Sequence, residues 1–281
     1  MKAAAAITIA TTIGIVVSLL IPALRFFGEV TPGEFATGTR WAPDFANATY
    51  GVLPLVTATA WTTLIGLAVA VPLGLGAAVY LSEYARREVR VVLKPILEIL
   101  AGIPTVVYGL FALTFIQQVV LKDWMGFRTG STSVLAAGLV MGIMIVPTIA
   151  SISEDAMSAV PLHLRQGSFA LGANRMQTTV RVVFPAAISG IIAAIVLGVA
   201  RAVGETMIVA IASGQQARMV TDPLESGQTM TGYIATKALG ESPVGSLEYN
   251  TLFAVGLLLF LITLAINAAS ARIVKRFREV Y

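Results

Sequence analysis

Residues 129–153 read TGSTSVLAAGLVMGIMIVPTIASIS, an apolar run with no charged side chain, lying between Arg128 and Glu154. An α-helix rises about 1.5 Å per residue, so crossing a hydrocarbon core takes roughly 20 apolar residues. This run is long enough. Residues 3–24, 99–121 and 249–271 are uncharged in the same way, and 45–82 reads as the end of a loop followed by a helix. A last run begins at Val182 and continues past Arg201 and Glu205 toward Ala212. The expected spans are 3–24, 53–81, 96–120, 131–153, 184–212 and 250–272. The chain therefore reads as an all-α integral membrane protein, with six transmembrane helices in one transmembrane domain over residues 1–281.

Composition agrees. Of 281 residues 57% are hydrophobic and only 12% charged, too little polar surface for a water-soluble globule of this size. The first run follows Lys2 and invites comparison with a cleaved secretory signal. It is longer than a signal core, and the small-x-small cleavage pattern is missing around Pro22, so it reads as a retained helix. With no cysteine there is no disulfide framework or thiolate metal site, and His163 as the single histidine argues against a histidine-built metal or catalytic centre.

The net charge of +4 has a topological rather than a nucleic-acid reading. Lys2, then Arg86, Arg87, Arg90 and Lys94, then Arg165, Arg175 and Arg181, then Arg272, Lys275, Arg276 and Arg278 fall on one side of the spans. The other side carries Arg25, Arg40, Lys122, Arg128, Arg218 and Lys237, spread over longer loops that hold most of the acids. The denser side stays in the cytoplasm, which places both termini there. Between spans four and five, residues 154–181 are long for a hairpin. Pro161 suits a helix start and Gly172 a helix end. The outer loop 213–250, with Asp222, Glu225 and Glu241, is acidic on balance and large enough to meet another protein.

Within residues 154–181, Gln166, Gly167 and Ser168, then Gly172, then Val182, Phe184 and Pro185 fall at the spacing E-A-A, three residues, G, nine residues, I-x-L-P. That segment resembles the permeases of ATP-binding-cassette importers, although its leading triplet is degenerate. Further stretches resemble the phosphate-importer permease of the PstC type. They are Val71-Pro72-Leu73-Gly74-Leu75-Gly76 leading to Tyr80-Leu81-Ser82-Glu83-Tyr84, and Leu100-Ala101-Gly102-Ile103-Pro104-Thr105-Val106-Val107-Tyr108-Gly109. Pro147-Thr148-Ile149-Ala150-Ser151-Ile152-Ser153-Glu154-Asp155-Ala156, Arg201-Ala202-Val203-Gly204-Glu205-Thr206-Met207 and Arg276-Phe277-Arg278-Glu279-Val280-Tyr281 complete the set. The sister PstA type shares the Gly-Ile-Pro and Arg-x-x-Gly-Glu-Thr elements. Met207, the Thr229-Met230-Thr231 run and the C-terminal tail favour PstC.

The resemblance implies a type I ABC importer permease architecture with a cytoplasmic coupling helix over about 160–171. Pro161, Leu164, Gln166, Gly167, Ser168, Leu171 and Gly172 would then meet the ATPase. It further implies a PstA-type permease as homologous partner, a PstB-type ATPase dimer, an extracytoplasmic phosphate-binding protein and a place in the plasma membrane among its lipids, with no role for nucleic acid. A permease of the same class for another oxyanion stays open, as does, at greater distance, a self-contained channel or secondary transporter.

Two charges inside span five carry most of the mechanistic information, since an intramembrane charge costs about 2.5–3.5 kcal/mol on insertion scales and normally faces the bundle or a wet cavity. Arg201 and Glu205, four apart, are expected on one helical face, either as a packing pair or as an anion contact with its tuner. Thr206, Thr105 and Tyr108 are candidate donors beside them. Pro104 allows a break in span three, with either a pathway or a packing role. Lys94 and Glu98 are expected to pair at the entrance of that span, and Gly66, Gly74, Gly76 and Ala77 to let helices approach closely. No G-x-x-x-x-G-K-[ST] run occurs, so the chain itself needs no cofactor and ATP is expected to be bound and hydrolysed by the partner ATPase subunits.

Overall fold

A computed structural model describes residues 2–240 and 242–276. Among the described residues five helices are long and apolar enough to cross a membrane, and a bent pair, taken as one span, makes a sixth. Helix α1 is Lys2–Glu29, and a short helix α2, Pro32–Thr37, follows it. The two-residue antiparallel strands β1, Trp41–Ala42, and β2, Thr49–Tyr50, come next. Helix α3, Leu53–Val79, continues through a wide π-type turn to Tyr84, and α4, Arg87–Ala101, lies beyond it. Helix α5, Thr105–Phe111, widens into π geometry and ends at Trp124, and α6 is Val134–Ser158.

Short helices α7, Leu162–Ala170, α8, Arg175–Thr178, and α9, Phe184–Ala186, make up the connector. They lead into α10, Ile188–Val203, and α11, Met207–Ala212. Helix α12 is Met230–Ala238, and α13, Leu247–Arg276, closes the described chain. The C-terminal tail beyond Arg276, and Glu241, lie outside the described residues.

Helices α3 and α6 form the centre of the bundle. A Cβ on Gly138 would stand 2.8 Å from Ile65 Cβ, and one on Gly142 2.7 Å from Val69 Cβ, so this approach requires glycine. Gly66 and Gly74 answer from α3, whereas Gly76 faces open space and has no part in the contact. Met141, Met144, Ile145 and Ile149 fill the core beside them and reach Ile208 and Ala212 of α11. At one end the rings of Phe26, Phe35, Trp41, Tyr50 and Tyr233 form a second cluster. At the other, basic end, Met157, Val160, Val183 and Ile191 form a third. On the periphery α1 packs against α13 and leaves Ile7, Ile9, Ile13 and Ile21 exposed, as a lipid-facing helix should.

Two spans differ from expectation. Span three begins at Thr105 and not near residue 96, because the chain breaks at Gly102–Pro104. Ahead of the break, α4 has no buried residue and carries Arg87, Arg90, Lys94 and Glu98 along one stripe, a two-sided helix that the apolar Val91, Val92, Ile96 and Ile99 disguised as the start of a span. Span five is interrupted twice: α10 is bent by 71° from the Arg175–Ala186 segment, and it ends at Gly204 before α11 begins. The other spans run longer than expected, to Glu29, Tyr84 and Ser158 and from Leu247 to Arg276.

Candidate functional site

The two breaks lie together. Helices α5 and α11, each opening just after a break, pack so closely that a Cβ on Gly109 would stand 2.9 Å from Ile211 Cδ1 and 3.2 Å from the Met207 carbonyl oxygen. At the first break Pro104 has an extended backbone and precedes the first residue of α5, a position where its missing N–H costs nothing. The hydroxyl of buried Tyr108 donates to the Leu100 carbonyl at 2.8 Å, satisfying an acceptor left over at the end of α4. Thr105 is half-buried and its hydroxyl has no partner among the described residues.

At the second break the expected Arg201–Glu205 face does not exist. Helical spacing holds only within a continuous helix, and α10 stops at Val203, so Glu205 leaves the helix axis. Its Oε1 accepts from the N–H of Met207 at 3.0 Å and of Ile208 at 3.2 Å, which caps the start of α11. Glu205 is buried at 8% exposure. Thr206 turns its hydroxyl to the Gly204 carbonyl at 3.3 Å. Arg201 is half-buried in the last turn of α10, donates from Nη1 to Thr148 Oγ1 at 2.9 Å, and lies within electrostatic reach of Tyr108. Among the described residues it has no carboxylate partner. Gly204 and Met207, close by in the chain, are exposed.

At the basic end Pro161 sits at the start of α7, and Gly172 closes it with φ of +83°. The N–H of Gly172 donates to the Phe169 carbonyl at 2.9 Å and that of Ala173 to the Ser168 carbonyl at 3.1 Å, the paired bonds of a left-handed helix stop. Asn174 and Gln177 then cap α8 reciprocally. Gln166, Gly167 and Leu171 are exposed, the last at 90%. Leu164 also packs on the Met157 cluster and Ser168 bonds Thr178 at 2.9 Å, and both are half-buried and line the groove along this segment. Leu162 and Phe169, not singled out from sequence, are exposed beside Leu171. An open groove of about 630 Å³ runs along this segment, lined by His163, Gly167, Leu171 and Arg181 among others.

Ion pairs fasten the basic end. Arg165 bonds Glu83 at 2.7 Å and the Met157 carbonyl at 2.7 Å, tying α7 to the end of α3 and the end of α6. Arg175 lies over the Tyr84 ring at 5.5 Å. Lys94 reaches Glu154 and Asp155, each at 2.7 Å, and not Glu98; Arg90 adds a second cation on Glu154, which is 1% exposed. These partners are 60 and more residues apart, beyond the reach of helical spacing.

At the opposite end residues 213–229 fold onto the bundle. Trp61 donates to the Val220 carbonyl at 3.2 Å, and the N–H groups of Val134 and Leu135 donate to Glu225 and Pro223 carbonyls. Asp222 accepts from Leu224 N–H at 2.9 Å, and Glu225 lies 3.7 Å from Arg218. An open cavity of about 730 Å³ is lined by Trp41, Asp44, Gln216, Tyr233, Lys237 and Glu248 among others. Lys237, 9% exposed, is paired with Asp44. Burial first, then the carboxylates of Glu248, Glu29, Glu34 and Asp44, push the Tyr50 phenol up, a sign of the acidic excess at this end.

Among the described residues, five continuous apolar helices and one bent pair, with a braced helical connector at the basic end, make the architecture of a multi-pass membrane protein. The chain belongs to the family of binding-protein-dependent transport system inner membrane components, which matches residues 70–279. The probable ABC transporter permease protein YqgH of Bacillus subtilis (strain 168) is 39% identical over 96% of this chain and 88% of its own. The phosphate transport system permease protein PstC 1 of Mycobacterium tuberculosis is 36% identical over 86% of this chain and 82% of its own. Among solved structures, a chain of the MetNI methionine ABC transporter in an inward-facing conformation superposes with a TM-score of 0.60, at 22% identity over 82% of this chain and 95% of that one. A chain of a bacterial alginate ABC transporter gives 0.64 at 14% identity over 96% and 94%. These two share the fold: that of an ABC importer permease.

Proposed function

We infer that the chain is a transmembrane permease subunit of an ATP-driven importer of inorganic phosphate. The observation that carries the reading is Arg201, a guanidinium without a carboxylate partner among the described residues, at the interruption of a membrane span. A guanidinium offers a planar fork to an oxyanion. The similarity to PstC proteins, over most of both chains, supports phosphate as that oxyanion. Glu205, expected as a tuner of the anion, here holds backbone donors instead, so selectivity at this position is assigned to Arg201 with Thr148 beside it.

On this reading a PstA-type permease covers the flank bearing Arg201 and completes the pathway. The basic end is cytoplasmic, with both termini on that side. A PstB-type ATPase dimer seats on the connector through Pro161, Leu164, Gln166, Gly167, Ser168, Leu171 and Gly172, with the exposed Leu162 and Phe169 beside them. An extracytoplasmic phosphate-binding protein meets the acidic opposite end. ATP-driven closure of the ATPase pulls the connectors together, and the Arg165 pairs carry that movement into α3 and α6.

The test is uptake of labelled phosphate by the reconstituted complex carrying Arg201→Met or Arg201→Lys. Arg201→Met is expected to assemble, retain its ATPase partner and import at less than a tenth of the normal rate. Arg201→Lys, which keeps charge and loses the fork, should fall between. Full uptake by assembled Arg201→Met would return the residue to packing.

A further inference from the structure

The Thr229-Met230-Thr231 run lies far in sequence from the second break, yet it is built into it. All three residues are nearly inaccessible, at 2%, 1% and 5% exposure. Thr229 precedes α12 and its hydroxyl accepts from the Gly232 N–H at 3.1 Å. The Met230 N–H donates to Thr59 Oγ1 of α3 at 3.0 Å. Thr231 Oγ1 donates to the backbone carbonyl of Glu205 at 2.6 Å.

A hydroxyl has one proton. Because the Thr231 proton is engaged by Glu205, the 3.2 Å contact between Thr229 and Thr231 must be donated by Thr229. The result is a directed chain, Thr229 to Thr231 to the Glu205 carbonyl, ending on a residue that has left α10 and not yet entered α11. A backbone acceptor at such a point has lost its helical donor and, away from water, must be met from elsewhere. Thr231 meets it, while the Glu205 carboxylate meets two N–H groups of α11. Both directions of the interruption are thereby fixed, one turn beyond Arg201.

We propose that Thr231 is a positioning residue of the anion pathway: its hydroxyl clamps the interruption of span five and so fixes the end of α10 that carries Arg201. Helix α12 is then more than loop filling. Over about 12 Å, at 1.5 Å per residue, it joins this clamp to the cavity at the far end, where Tyr233 bonds Thr251 at 2.6 Å and Lys237 pairs with Asp44. A partner arriving at that cavity touches the same rigid element that sets the break. The proposal rests on the reading of Arg201 as the anion contact.

The experiment uses the complete reconstituted importer, with labelled inorganic phosphate as probe, and compares Thr231→Val, Thr231→Ser and Arg201→Met. Thr231→Val preserves shape and removes the donor; it is expected to assemble, keep basal ATP hydrolysis within about twofold and lose roughly tenfold in maximal uptake, equivalent to about 1.4 kcal/mol. The binding-protein concentration giving half-maximal uptake should not move. Thr231→Ser, which restores the hydroxyl, should recover most of the rate. Normal uptake by Thr231→Val overturns the proposal, as does equal loss in Val and Ser, which would assign the effect to packing, or failure of Val to assemble, which would assign it to folding. If Arg201→Met is inactive while Thr231→Val is normal, the positioning role alone falls. If Arg201→Met imports normally, the pathway reading falls, and with no cation to hold the positioning role falls too.

Discussion

Gly172 isolates a single backbone cost at the connector. Its φ of +83° lies where an L side chain is strained, by about 1–2 kcal/mol per residue, while a Cβ built there meets nothing within 4 Å. Substitution therefore carries no clash, and what remains is the free energy of the left-handed turn. Asn tolerates this region and should cost least, Ala about 1 kcal/mol, and a β-branched Val more. Every 1.4 kcal/mol is tenfold in an equilibrium. Gly172→Ala should thus lower the population of the closed turn several-fold relative to competing arrangements, and Gly172→Val by more than tenfold. What would be lost are the bonds from Gly172 to Phe169 and Ala173 to Ser168, and with them the angle between α7 and α8.

The assay is ATP hydrolysed per phosphate imported by the reconstituted complex, with retention of the ATPase subunit measured in parallel. The ratio should rise in the order Gly, Asn, Ala, Val. A flat series with the ATPase still bound would refute the reasoning, because the strain exists whatever the surrounding space. Equal impairment in all three variants would refute it differently, by implicating surface contact and not backbone geometry.

Two further expectations follow from the ion pairs and the acidic face. Glu83→Gln leaves Arg165 with a weaker acceptor and Arg165→Ala strands a buried carboxylate; since breaking one side of a buried pair costs about 3–5 kcal/mol, both should lower the melting temperature of the purified complex, the alanine variant more. At the other end Glu225→Lys should weaken binding-protein docking in a way that added salt abolishes, whereas Asp222→Asn, which keeps the acceptor for Leu224 N–H, should change docking little; indifference of docking to Glu225→Lys would move the contact elsewhere.

The spans were legible because lipid imposes a length and an apolar composition on each of them. Their interruptions were only half legible. Pro104 announced a break, but the apolar Ile99 and Leu100 before it made the break look like a kink inside one span. The stripe Arg87, Arg90, Lys94 and Glu98, at helical spacing, was the signal that α4 is a separate two-sided helix, from which Arg90 and Lys94 reach Glu154. Gly204 gave no such announcement, since one glycine in an apolar helix is usually a packing device. Gly172 was legible because a helix stop has local chemistry. The Arg165–Glu83 and Lys94–Glu154 pairs were not, because they depend on which helix ends meet, and that is decided by the glycine-mediated contact of α3 with α6.

The hidden break changes what the two charges of span five mean. On an unbroken helix Arg201 and Glu205 neutralise one another, and the site has no net charge. With the helix ended at Val203, the carboxylate turns to the N–H groups of Met207 and Ile208, where helix-start donors favour an anion, and the guanidinium is left with a neutral hydroxyl, Thr148. The guanidinium is thus not bonded to a carboxylate among the described residues, which on the proposed reading leaves it for an oxyanion. This assignment separates two substitutions that an ion pair would not. Glu205→Gln retains a side-chain oxygen for both N–H groups, so assembly and phosphate uptake should stay within about fivefold of normal, given the ~1 kcal/mol scale of a neutral for charged acceptor. Glu205→Ala strands both donors in a buried place and should cost about 2 kcal/mol or more, seen as lower thermal stability and poor assembly. An ion pair predicts the reverse emphasis: Gln would already uncouple the charges and injure Arg201, and Ala would add little. Measured melting temperatures and uptake for the two variants decide between them, and a Gln variant as damaged as Ala would restore the pairing and remove the free cation from the pathway.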